Sequence, residues 1–143
     1  MAFAVKATLQ AVESYLKASG YFESAQVGEP KGPPTDGPKL AAAVFMSRAG
    51  VVSTTLVSTI EQHIIIVRLY RNMLAEPIAN VEFELADVVS RIADDLIGEF
   101  DLGGTIRNVD IGGQYGEGLS TDWGYVEISG KWFRIVDLTI PLI

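Results

Sequence analysis

Apolar positions recur along this chain with two different periods. Near the start Val5, Leu9, Val12 and Leu16 return every three or four residues, while Lys6, Gln10, Glu13 and Lys17 fall on another side. That is the spacing of an amphipathic helix laid on a core, so residues 1–19 are predicted helical, with Gly20 as the stop. The same period returns in Val81, Leu85, Val88, Val89, Ile92 and Leu96. Pro77 suits the first turn of this second helix, which is expected to run to about residue 100 and to close at Gly103-Gly104. Glu84, Asp87, Asp94 and Asp95 lie roughly opposite the stripe, as a solvated face requires. Phe83 and Ile97 fit neither side and share theirs with Ala86, Ser90 and Ala93. Either the helix is more than half buried in its own domain, or this side meets another subunit. The expectation adopted for Phe83 and Ile97 is a position at or near a subunit contact.

Between the helices the pattern changes. Residues 28–38, GEPKGPPTDGP, are mostly Gly and Pro and predict a long exposed loop. Three segments rich in Val, Ile, Thr and Phe follow at 39–47, 51–60 and 62–71 and read as strands. The third is apolar on both alternating faces, with Ile65, Val67 and Leu69 on one and Ile64, Ile66 and Tyr70 on the other. Such a strand is central to a sheet or covered by a neighbouring chain. After the second helix come an expected strand at 105–111, a glycine-rich loop at 112–124, and a hairpin with arms 125–129 and 132–140 turning near Gly130. The order predicts one α+β domain over residues 1–143, a mostly antiparallel or mixed sheet with both helices on one face.

Composition narrows what such a domain can do. Its 143 residues suffice for a core, and with no cysteine there is no thiolate nucleophile, Cys-ligated metal or disulfide framework. A net charge of -7 argues against unaided binding to a DNA backbone. The longest apolar runs are too short to span a bilayer and the N-terminus lacks the features of a signal peptide, so the chain is expected to stay inside the cell that makes it.

The search for chemistry returns little. His63, the only histidine, has no partner at a nucleophilic-triad spacing. Asp94-Asp95 and Glu82/Glu84 form carboxylate pairs, but on an amphipathic helix these read as a solvated face. Asp101, Asp110 and Glu117 lack the spacing of a calcium loop, and Gly112-Gly113-Gln114-Tyr115-Gly116 lacks the Lys-Ser/Thr of a phosphate loop. No catalytic residue, cofactor or metal is expected. Arg68 and Arg134 each alternate with apolar residues in a strand, which reads either as an internal ion pair or as an arginine facing an acidic neighbour subunit.

The segments RLYRNMLAEP at 68–77, FDLGGTIRNVD at 100–110, GQYG at 113–116, Gly124-Tyr125 and the ending FRIVDLTIPLI at 133–143 are similar, in this order, to the tail terminator (minor tail) proteins of long-tailed phages infecting actinobacteria. The resemblance implies a small subunit, in the virion at the tail–neck junction and assembled in the host cytoplasm. Such a subunit forms a ring, usually of six, on the last ring of the tail tube, stops tube polymerisation and offers a docking face to the head connector. It implies no catalysis. Its partners would be further copies of itself, the major tail tube protein and the connector or stopper proteins, with DNA passing through a channel that an acidic lining keeps from sticking. The alternatives are another neck, tail-completion or head–tail connector protein and, with less behind it, a small enzyme of unknown type. The loops 28–38 and 112–124 are expected to face partners, through Lys31, Asp36, Gln114, Tyr115 and Glu117.

Overall fold

The computed structural model describes residues 5–34, 40–73, 78–98 and 118–142, except the side chains at 52, 53, 60, 78 and 96–98. In chain order the elements are α1 (Val5–Ser19), β1 (Phe22–Val27), β2 (Leu40–Thr54), β3 (Thr59–Asn72), α2 (Ile78–Gly98), β4 (Ser120–Ile128) and β5 (Lys131–Leu142). The five strands make one mixed sheet in the order β1-β2-β3-β5-β4, in which β1 and β2 are parallel and every other pair is antiparallel. The architecture is α+β.

Both helices lie on the same face of the sheet, and the core sits between them and it. Val12 and Leu16 of α1 and Val81, Leu85, Val88, Val89 and Ile92 of α2 pack with Leu40, Ala42 and Val44 of β2, Ile65, Val67 and Leu69 of β3, and Val136, Leu138, Ile140 and Leu142 of β5. Each fully buried Leu, Ile or Val is worth roughly 1.5–3 kcal/mol, so the two helical stripes read from the sequence are the main fastening of helix to sheet. Gly20 ends α1 in the left-handed region at φ 80°, where a Cβ would be strained. The Tyr15 hydroxyl donates to Asp95 Oδ2 at 2.5 Å and ties the two helices together.

The doubly apolar strand is β3, third of five. Its second face belongs to the subunit's own interior: Tyr70 meets Phe133 edge-on at 6.3 Å, beside Ala41, Ala43 and Ile135. Its central place accounts for its composition without a neighbouring chain.

Several expectations need correction. A strand at Phe22–Val27 was not foreseen, and it pairs in parallel with β2; the described residues of the Gly/Pro-rich segment, 28–34, form no helix or strand, as a loop requires. The segments 39–47 and 51–60 are not two strands. They belong to one long strand, β2, and to the start of β3, because register shifts between Met46/Arg48 and Val51/Ser53 let the ladder absorb an extra residue twice. The hairpin turn therefore falls at Leu56-Val57. Residues 120–124, assigned to a loop, begin β4, where Gly124 lies against the Ile135 side chain. The β4–β5 turn is as read, with Ser129 at φ 51° and Gly130 at φ 81° supplying the two positive φ values of a tight hairpin. The expected strand at 105–111 lies outside the described residues, as do Pro77 and Gly103-Gly104.

Candidate subunit interface

Arg68 of β3 and Asp137 of β5 are register partners, and the guanidinium donates twice to that carboxylate, at 2.7 and 2.9 Å. Glu29, just past β1, reaches the same arginine at 3.4 Å, and the Phe45 ring lies 5.3 Å from its guanidinium carbon. The Asp137 hydrogen bond raises the Arg68 pKa further above its ordinary value, against the opposing effect of burial.

On the helix face Arg71 and Arg134 are also register partners. Helix α2 answers each with a glutamate: Glu84 lies 3.0 Å from Arg71, and Glu82 lies 2.5 Å from Arg134. Arg71 is 1 % exposed, so its charge needs that carboxylate. Arg134 further donates to the Gly124 carbonyl at 3.1 Å and stacks on Tyr125 at 4.5 Å and Trp123 at 5.3 Å. Of the two readings offered for Arg68 and Arg134, the internal ion pair describes both. Glu84, read on the solvated face with Asp87, Asp94 and Asp95, stays partly open to solvent while it reaches Arg71.

Glu82 and Glu84 each face a different arginine. His63 is buried, with Nε2 3.1 Å from Glu61 on the same strand. Among the described residues no group of three or more His, Asp or Glu is placed to hold a metal, and no helix is long and apolar enough to cross a membrane.

Among the described residues, besides Val5, Val27, Val51 and Phe83, large apolar side chains are exposed in two places. One is the β2–β3 turn, where Leu56 and Val57 are 105 % and 94 % exposed. The other is the β4–β5 hairpin, where Trp123, Tyr125 and Trp132 are exposed; on α2, Phe83 is 71 % exposed. Phe83 is therefore not part of its own subunit's core; the side chain of Ile97 lies outside the described residues. Of the loop positions expected to face partners, Lys31 is exposed, whereas Asp36, Gln114, Tyr115 and Glu117 lie outside the described residues. The start of the 28–38 segment is tied down, by Glu29 to Arg68 and by the Ser24 hydroxyl donating to the Pro34 carbonyl at 3.2 Å. Sequence reading missed Leu56-Val57, although two apolar residues with no Gly, Asn, Asp or Pro beside them at a hairpin turn were the available signal. Set against known proteins, the chain matches no family model and no curated sequence.

Proposed function

We propose that this chain is a structural subunit that closes into a ring on the end of a phage tail tube, ends tube growth there and presents a face to the head connector. One observation carries the reading: among the described residues, Leu56 and Val57 at the β2–β3 turn, Trp123, Tyr125 and Trp132 on the β4–β5 hairpin and Phe83 on α2 are large apolar side chains left exposed. Aromatic anchors of this kind characterise the energetic centre of protein–protein contacts. Two separate patches on one chain suit a heterologous contact, in which each copy offers a different surface to each neighbour, and such contacts close into rings. The segments similar to tail terminators and the net charge of -7, which suits a channel for DNA, agree with it.

Native mass spectrometry of the purified chain, with imaging of tails from a phage lacking the gene, tests the reading. A closed oligomer, together with overlong or headless tails in the deletion, is the expected result. Monomers at every concentration, or heads that leak DNA above tails of normal length, would overturn it.

A further inference from the structure

The outer halves of β2 and β3 form a two-stranded arm that a lone subunit leaves unused. Strand β1 ends at Val27 opposite Val44 and closes with the Gly28 N–H donating to the Val44 carbonyl at 2.8 Å; among the described residues nothing pairs with that edge of β2 farther out. On the other side β3 pairs with β5 from His63 onward, and among the described residues only β2 is laddered to residues 59–61. Residues 49–54 extend the arm by roughly 20 Å at about 3.3 Å per residue. Two strands alone in water are marginally stable and expose backbone edges, so an arm of this length calls for a partner.

Its tip is built to hold a shape. A two-residue hairpin turn ordinarily uses Asn-Gly or Gly-X at positive φ, yet here the central residues are Leu56 and Val57, and among the described non-glycine residues only Ser129 has positive φ. The Thr55 hydroxyl replaces that chemistry: Oγ1 accepts the Val57 N–H at 3.3 Å and the Ser58 N–H at 3.0 Å, while the Thr55 N–H donates to the Ser58 carbonyl at 2.7 Å. One step back, the Thr54 and Thr59 hydroxyls meet across the strands at 3.3 Å. The turn thus fixes two bare apolar side chains at the end of a neutral, hydroxyl-rich ribbon, a preorganised knob.

The same chain carries a matching hollow. Between α1 and β1 an open groove of about 600 Å³ is lined by Val5, Leu9 and Val27, with Lys6, Gln10 and Glu13 beside them. Val27 pairs with Val44, so the groove opens at the root of the arm. A subunit's own tip lies an arm's length away and cannot fold back without breaking the β2–β3 ladder. Knob and hollow can meet only between copies.

We propose that the Leu56-Val57 tip of each subunit seats in the α1/β1 hollow of the next copy, head to tail, with the polar groups of Lys6, Gln10 and Glu13 around the hydroxyl-rich ribbon. This rests on the ring reading and names the contact that closes it. A second copy is the occupant because the tip and the hollow, both apolar with little net charge, lie on the same chain yet cannot meet within one subunit. The contact also gives the arm the neighbour its open edges lack.

The absence of cysteine makes a direct test possible. In the full chain, oxidation of the double variant Val27→Cys/Val57→Cys is expected to give a covalent series running up to the size of the native assembly, with no such series from either single variant. Leu56→Ser/Val57→Ser and, separately, Val27→Lys are each expected to raise the concentration at which the assembly falls apart at least tenfold, without lowering the subunit's unfolding midpoint. Mixed together, those two variants should give one-to-one pairs and nothing larger, since only one intact tip can meet one intact hollow. An assembly undiminished by Leu56→Ser/Val57→Ser overturns this contact while leaving the ring reading standing, and assigns the tip to a different partner. Cross-linked species that stop at pairs, or cross-linking by Val57→Cys alone, overturn the head-to-tail arrangement. A wild-type chain that stays monomeric at all concentrations sinks the ring and this contact together.

Discussion

At the scale of single residues, the neighbouring arginines of β3 and β5 explain why the start of α2 is acidic. Arg71 is almost wholly removed from water, so removing the Glu84 carboxylate takes away compensation of a buried charge. Glu84→Ala is expected to destabilise the subunit by about 1–3 kcal/mol, below the range for fully buried pairs because the glutamate is partly open to solvent and screened. Asp87→Ala breaks an exposed i,i+4 pair with Arg91 and should cost under about 0.5 kcal/mol. Urea denaturation of the two variants orders them, and equal losses would show that the Arg71 pairing carries no special weight. Tyr15 supplies a pH dependence. Burial, and next the Asp95 carboxylate that accepts its proton, push its pKa above the ordinary value of 10.0. The folded chain thus holds that proton more tightly than the unfolded chain. Stability from this phenol is complete below about pH 10 and declines as pH climbs from there through the folded value. Tyr15→Phe should be less sensitive to alkali above about pH 10 and unchanged in its pH profile near neutrality, measured as the midpoint of thermal unfolding against pH.

Single elements show which parts of the fold were legible and which were not. Thr55→Ala removes the hydroxyl that holds the β2–β3 turn. The Val57 and Ser58 amides are then expected to exchange with solvent several-fold faster, while Ile65 and Val67 in the body of β3 keep their protection. Unchanged exchange at the tip would mean that the strands alone set the turn. The two helices could be read directly from Val12, Leu16, Val81, Leu85, Val88, Val89 and Ile92, because a helix covering one face of a sheet must keep its apolar residues on one side. Strand β1 could not, since it is an edge strand in which only Ala25 is buried and nothing in Phe22-Glu23-Ser24-Ala25-Gln26-Val27 alternates strongly. The length of β2 was hidden for another reason. Its two register shifts move side chains between faces in mid-strand, and a period-2 reading breaks wherever an extra residue enters. In the candidate site, the strand positions of Arg68 and Arg134 were visible in the sequence. Their partners Asp137 and Glu82 were not, because they lie 69 and 52 residues away along the chain.

At the scale of the whole molecule, the exposed apolar side chains of the described residues include a knob on the β2–β3 arm, the aromatics of the β4–β5 hairpin and Phe83 at a corner of α2. Phe83 gives the cleaner test of whether that corner takes part in assembly. A phenylalanine that is 71 % exposed contributes little to its own subunit's stability, so Phe83→Ser should move the subunit's unfolding free energy by no more than about 0.5 kcal/mol. In a contact that buried it, the same side chain would be worth roughly 1.5–3 kcal/mol. Its loss should then raise the dissociation constant of each contact by about ten- to a hundredfold. Ile97, on the same helix, is expected to act in the same sense, and Phe83→Ser/Ile97→Ser to weaken the assembly more than either change alone. Unfolding of the isolated subunit and dissociation of the assembly are measured on the same preparations, so the two effects separate. An assembly that keeps its affinity while the subunit loses stability would place these residues in the subunit's own packing and remove this corner from the interface.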